Sequence, residues 1–341
     1  MSVRRIARLA RVSSSTVSLA LRNSPKIRPA TKRRVLAAAK RLGYRPNAQL
    51  AEVMSRLRLS REGAQESCLG VISFYDRVRP WEGSAHLARM YASMSRRAES
   101  LGYRLEPMWL TAPGMTYRRF RSILDARGIE GLLCFGSPDF DQEFPRELDH
   151  YAVVTQGLSI KTPLHRVVSH VYGDMWRALE RIHALGYRRP GLIIGRYEEQ
   201  RSAHAYRCAY LGWSQLRLGT TAAVPVLELE RVEGDALLRW LDGHRPDVTV
   251  FVHQYDQLAD FQSTLRRRGV RVPRDLGILA ISQILEGSDF SGLQENQDLI
   301  GAWAVELLIS RILTRDFGIP EHPRIEMVER TWVEGKTLRR K

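Results

Sequence analysis

The chain has 341 residues, 44% of them apolar and 26% charged, enough for roughly two to three soluble domains, and no apolar run nears the ~18 residues that span a bilayer. Cys68, Cys134 and Cys208 stand far apart with no CxxC pair, which reads against a disulfide scaffold, a cysteine-ligated zinc finger and a transporter, and for a reducing cytoplasm. The net charge is +16, and residues 1–62 hold sixteen Lys and Arg against two acids, so that this segment carries +14 and the rest only +2.

A short basic module on a near-neutral body is the electrostatic footprint of a polyanion binder. The first residues, MSVRRIARLARVSSS, have no continuous apolar stretch and no small-residue cleavage site, so no secretory leader is read there. Ile6, Leu9 and Ala10 recur at helical spacing, with Ser2 as an N-cap. After a break at 11–13, Ser13 is placed to cap a second helix whose inner face is Val17, Ala20 and Leu21. Pro29 suits the first turn of a third helix, with Val35, Ala38, Ala39 and Leu42 inward and Gly43 at its end. Short helices with a tight turn between the first two predict an all-α helix-turn-helix head that lays its second helix in the major groove. Ser14, Ser15, Ser18 and Leu19 then face outward.

Three runs carry a specific resemblance: VSSSTVS over 12–18, the Thr31–Ala39 region and LGYRPN over 42–47. They resemble the DNA-binding head of the lac repressor (LacI/GalR) family. The resemblance implies base-reading roles for Ser14, Ser15 and Leu19. It implies phosphate-contact or docking roles for Ser13, Thr16, Ser18, Arg28, Thr31, Tyr44 and Asn47. Arg11 stands where the turn usually has Gly, and Leu19 where many members have Arg, so a left-handed turn at Arg11 would be strained and the operator sequence does not transfer. Residues 47–57 read as a hinge helix that the family orders on the operator, with Val53 at the minor-groove lever position and Met54 beside it. Residues 58–66 are a polar linker. The domains are therefore 1–46 as the DNA-binding head, 47–66 as hinge and linker, and 67–341 as a core.

In the core, strand-like runs alternate with helical ones: CLGVISFY, a helix over 85–101, a strand over 103–110, a helix over 117–127, EGLLCFG and YAVVTQ. Then follow a helix over 174–185, PGLIIG, one helix over 201–218, VTVFVH, a helix over 257–268 and LGILAIS. The pattern predicts parallel sheets with helices on both faces in two similar lobes. Lobe one is placed at about 68–165 plus 291–319, and lobe two at 166–289 plus 320–335. The runs LGVI, IEGLL, ALGYRRPGLIIG, GVRVPRDLGILAI and TWVEGKTL also resemble the family, whose core is periplasmic-binding-protein-like, an α/β fold with a ligand in the crevice between lobes.

Sugar-binding members place Asp, Arg and Asp around that ligand. The aligned positions here hold His170 (or Asp174, if the loop shifts), Tyr206 and Tyr255, and a one-residue shift would bring in Arg207 and Asp256 together. Read without the shift, the crevice is aromatic, lacks hydroxyl-binding carboxylates and takes an effector other than a typical simple sugar, contacted by Tyr75, Trp81, His170, Tyr206 and Tyr255. A carbohydrate derivative remains within that reading. No phosphate loop, dinucleotide fingerprint, HExxH or GxSxG occurs, and the nine histidines show no ligand spacing, so neither catalysis nor a cofactor nor a metal is expected. The sequence is accordingly read as a repressor-type transcription regulator: a homodimer on a palindromic operator, released or tightened by a small molecule. An architectural DNA binder with an insensitive core is the alternative.

Overall fold

The computed structural model describes residues 3–13, 16, 17, 20, 27–42, 67–219, 223–232, 235–282 and 288–339. In the head, α1 (Val3–Leu9) ends in a left-handed residue, Arg11, at φ 49°. The Val12 amide donates to the Ala7 carbonyl at 3.0 Å and the Arg11 amide to the Arg8 carbonyl at 3.2 Å. This bond pair satisfies the helix's last carbonyls, and it requires the positive φ that glycine adopts without strain. Thr16, Val17 and Ala20 are helical. The third helix, α2 (Pro29–Arg41), opens on its proline and buries Val35, Ala38 and Ala39. Ile6, Ala7, Ala10, Val17, Ala20, Val35, Ala38 and Ala39 form one small core. Leu9 is not in it: it is 43% exposed. Alanines at 7 and 10 let the helices approach closely, which rotates the buried stripe off Leu9. Leu21, Ser2 and Gly43 lie outside the described residues.

The core holds two six-stranded sheets. The first has the order β11-β5-β4-β3-β1-β2, built from β1 (Ser67–Ser73), β2 (Tyr103–Trp109), β3 (Gly131–Cys134), β4 (Ala152–Gln156), β5 (His165–Ser169) and β11 (Ile325–Val328). All its pairings are parallel. Against it pack α3 (Ala85–Ser100) and α10 (Gln297–Thr314), with α4 (Tyr117–Ala126) also in this lobe. The second sheet has the order β12-β10-β9-β8-β6-β7, built from β6 (Pro190–Gly195), β7 (Leu227–Leu229), β8 (Val248–Val252), β9 (Gly277–Ser282), β10 (Ser291–Gln294) and β12 (Thr331–Val333). It is parallel except at β12, which runs antiparallel to β10. Its helices are α5 (Val171–Ala184), α6 (Arg196–Arg201), α7 (Ala205–Leu218), α8 (Asp235–His244) and α9 (Tyr255–Arg267).

The lobe boundaries differ from those expected. All of β5 pairs with β4 and β11, so 166–169 belongs to lobe one. Strand β10, expected in lobe one, pairs with β9 in lobe two, with Ser291 opposite Leu279. Strand β11, expected in lobe two, pairs with β5 in lobe one, with Ile325 opposite Arg166. The chain therefore crosses between lobes after Ser169, after Gln294 and after Val328. Each crossing lies where a strand leaves one ladder, and backbone hydrogen bonding rather than side-chain pattern decides it. The expected helix over 201–218 is α7, which starts four residues later at Ala205, and a separate short helix not expected from the sequence, α6, precedes it across Ala203 and His204, at φ 49° and 64°.

Candidate functional site

The crossings frame a cavity of about 760 Å³. It lies at the carboxyl ends of the parallel strands, where open α/β sheets bind ligands. Strand β4 ends in Gln156, which lines it from lobe one together with Tyr75, Phe135 and Ser137. From lobe two, α6 delivers Tyr197, Glu198 and Arg201, His253 follows the end of β8, and the first turn of α9 gives Asp256. Between the lobes stand Glu295 and Arg330.

The back wall is an ion-pair network on the crossings. Arg330, 6% exposed, donates to the Tyr206 hydroxyl at 2.7 Å and to Glu295 Oε1 at 3.3 Å. Asp174 Oδ2 is 3.7 Å from the same guanidinium, and Asp174 Oδ1 accepts from the Arg330 amide at 3.1 Å and from Arg177 at 2.6 Å. Ser169 donates to Glu295, and His86 Nε2 lies 3.6 Å from Glu295 Oε2. Burial alone would raise the Glu295 carboxyl, but the Arg330 and Arg201 charges overturn this and hold it at about 2. Burial pushes His86 below its usual value against the opposing pull of Glu295. Burial also raises the Tyr75 hydroxyl to about 12, assisted by Tyr197.

The front of the cavity has unspent hydrogen-bonding capacity. Both amide atoms of Gln156, Glu198 Oε2 and Arg201 Nε have no hydrogen-bond partner among the described residues. Gln156 is 4% exposed and Glu198 8%. Buried polar groups without partners are costly, and a polar ligand presenting both donors and acceptors would satisfy them.

Of the residues singled out for this crevice, Tyr75, Tyr206 and Asp256 line it. Trp81 does not: it stacks on Tyr91 at 3.8 Å inside lobe one. His170 precedes α5 with its ring folded over Gly173, where a Cβ would meet it at 2.5 Å, and it is not among the lining residues. Arg207 points away from the cavity, bound to Glu199 and, at 2.7 Å, to Glu228. The one-residue shift thus holds for Asp256 and not for Arg207. The Tyr255 side chain lies outside the described ones. The expected lack of carboxylates fails, because Glu198 and Asp256 both line the wall. Gln156, Glu198, Arg201, Glu295, Arg330 and His86 were not foreseen; the ends of the runs YAVVTQ and PGLIIG are the signal that could have found the first three.

In the head, Ser13 caps the second helix, its hydroxyl accepting from the Thr16 amide at 3.1 Å and its carbonyl from the Val17 amide at 3.0 Å. The Ser13 and Thr16 hydroxyls are 2.8 Å apart. Arg28 is exposed at the N-cap of α2, and Thr31 lies partly exposed in its first turn. Ser14, Ser15, Ser18, Leu19, Tyr44, Asn47, Val53 and Met54 lie outside the described residues. Among the described residues no group of three or more His, Cys, Asp or Glu is placed to hold a metal, and no helix is long and apolar enough to cross a membrane.

Residues 2–47 match the model of bacterial regulatory proteins of the lacI family, and residues 179–338 match the periplasmic binding protein-like domain. The sucrose operon repressor of Escherichia coli is 24% identical over 294 residues, covering 83% of this chain and 84% of that one. Catabolite control protein A of Priestia megaterium is 24% identical over 320 residues, covering 89% and 90%. Among solved structures, the transcriptional regulator CelR–cellobiose complex superposes with a TM-score of 0.57 at 19% identity, over 99% of both chains. The lac repressor dimer bound to operator and the anti-inducer ONPF gives 0.57 at 17% identity, over 99% and 98%. At these identities the superpositions speak to the fold.

Proposed function

The chain belongs to the lacI family of bacterial regulatory proteins, and from that premise we infer that it is a repressor-type transcription regulator whose operator binding is set by a small molecule in the interlobe cleft. The reading places the protein in the cytoplasm, as a homodimer on a two-fold operator, because one recognition helix reads one half-site. Ser14, Ser15 and Leu19 take the base edges. Ser13, Thr16, Ser18, Arg28, Thr31, Tyr44 and Asn47 take the phosphates and dock the head, and Val53 with Met54 form the minor-groove lever. The single observation that carries the effector half is the set of unpartnered polar atoms on Gln156, Glu198 and Arg201 around one cavity. An architectural DNA binder would have no use for such a cleft.

Hydroxyl groups donate and accept, so the carboxylates of Glu198 and Asp256, the Arg201 guanidinium and the Gln156 amide suit a polyhydroxylated ligand, with tyrosine rings for its apolar face. Carbohydrate names on the relatives and neighbours, sucrose and cellobiose, support the same class. Ligand contacts on both walls favour one degree of lobe closure. The change is passed through the three crossings to the segment that carries the heads, as a coupling of about 1–3 kcal/mol between sites. A regulator rather than an enzyme is the reading that the names of the relatives support.

The deciding experiment is capture of genomic DNA fragments by the full-length protein at near-physiological salt, repeated with a panel of neutral mono- and disaccharides. A recurring palindrome whose capture changes with one sugar is the expected result. Sequence-independent capture that collapses with salt would leave only phosphate-driven binding and overturn the proposal.

A further inference from the structure

The lobe-two wall of the cleft hangs on a strained turn, and we propose that Glu199 is the positioning residue that holds this turn and so aims Tyr197, Glu198 and Arg201 into the cavity. Helix α6 is six residues long, too short to hold its own register in isolation. Residues 196–211 contain neither Pro nor Gly, so local preference favours one unbroken helix. The chain instead breaks at Ala203 and His204, two consecutive non-glycine residues at φ 49° and 64°. There each Cβ crowds a carbonyl, and such a conformation persists only where surrounding contacts impose it.

Glu199 supplies those contacts. Its side chain is fully buried, and Oε1 accepts from His204 Nδ1 at 2.8 Å and from Arg207 Nε. Arg207 passes the anchor on, its Nη2 donating to Glu228 Oε2 on β7 at 2.7 Å. The carboxylate therefore grips the left-handed turn on one side, the first turn of α7 on the other, and the lobe-two sheet through Arg207. Glu198 precedes it, Arg201 follows two residues later, and Tyr206, in the first turn of α7, accepts from Arg330. Arg207, expected to touch the ligand, acts here through Glu199.

The inference rests on the cleft being an effector site, but its test needs no effector. Hydrogen exchange by mass spectrometry compares the full-length protein with Glu199→Gln, which keeps the side chain's size and removes its charge. Exchange across 197–206 is expected to rise about ten-fold, and protection of 136–139 in lobe one to fall with it, because Tyr197 reaches Ser137 across the cleft; β6 and β8 stay as they were. Ala203→Gly in the Glu199→Gln background relieves the backbone crowding, and is expected to recover Tm without recovering protection at 136–139. Unchanged exchange across 197–206, or joint recovery of Tm and of 136–139, overturns the positioning role. If Glu199→Gln does not fold, Arg207→Met removes one donor and the same two segments are read. A clamp that fails these tests leaves the effector cleft standing, whereas a cleft without effector in the DNA-capture experiment leaves the exchange result untouched.

Discussion

The Tyr197 hydroxyl donates to the Ser137 carbonyl at 3.1 Å, joining α6 of lobe two to the segment after β3 in lobe one. One neutral hydrogen bond contributes about 1 kcal/mol net, or about five-fold in an equilibrium. Tyr197→Phe keeps the ring under the Arg201 guanidinium, whose carbon is 5.7 Å from the ring centre, and removes only the bond between lobes. The closed-to-open ratio of the core is expected to fall about five-fold. Energy transfer between dyes placed one on each lobe checks this, and an unchanged distribution would show that the bond does not bias closure.

Acid should weaken the core through Glu295. Its carboxyl sits at about 2 when folded against an ordinary value of 4.5, so a depressed acid contributes stability above the unfolded value and loses it as pH falls through the folded one. The contribution is present at pH 6 and above and disappears between about pH 4.5 and 2, on the order of 2 kcal/mol. Glu295→Gln should lower stability at pH 7 and flatten this acid limb, read by denaturant unfolding at pH 7, 5 and 3. Arg330→Ala removes the guanidinium that Glu295 and Asp174 share, leaving Glu295 buried without its main counter-charge while Asp174 keeps Arg177 and the residue-330 amide, and should cost more, about 3–5 kcal/mol.

Why the sequence yields the head and the alternation of elements, but neither the crossings nor the cleft charges, is visible in particular residues. Ser13 accepts from the Thr16 amide three residues on and Pro29 presets its own φ in a first turn that needs no N–H from it, so local spacing is enough. Helix α10 buries Ile300, Ala304, Val305, Leu307, Leu308 and Ile312; it is apolar on nearly every face, so no 3.6-residue stripe marks it. Strands β10 and β11 change places because ladder partners, not their own residues, assign them. Glu295 and Arg330 stand thirty-five residues apart in polar stretches, and only the fold makes them one pair. The break between α6 and α7 carries no Gly or Pro, because a side chain, Glu199, imposes it.

The head turn offers a cleaner stability test. Arg11→Gly removes the Cβ crowding at φ 49° and should stabilise the head by up to about 1 kcal/mol. Ser13→Ala removes the acceptor of the Thr16 amide and should cost about 1 kcal/mol. Slower and faster amide exchange in Val3–Ala10, respectively, is the expected readout. Arg11→Gly also removes one charge, so its salt dependence of DNA binding should be compared with the parent.

Gly195 links the strand that bears the cleft to the helix that lines it. Its backbone, φ −72° and ψ 142°, suits any residue, so glycine is not there for conformational freedom. A Cβ at this position would meet Glu198 Oε2 at 2.2 Å and the His253 ring at 2.9 Å. The carboxylate end is mobile and can swing away, whereas β6 is buried in the sheet and cannot. Gly195→Ala should therefore leave the unfolding free energy within about 1 kcal/mol of the parent while turning the Glu198 carboxylate out of its present seat. Operator capture without sugar should be retained, and the response to the active sugar of the panel should weaken by about ten-fold or more, the loss of one charge-assisted hydrogen bond. Equal responses in variant and parent would remove Glu198 from the ligand contacts and leave Gln156 and Arg201 to carry recognition.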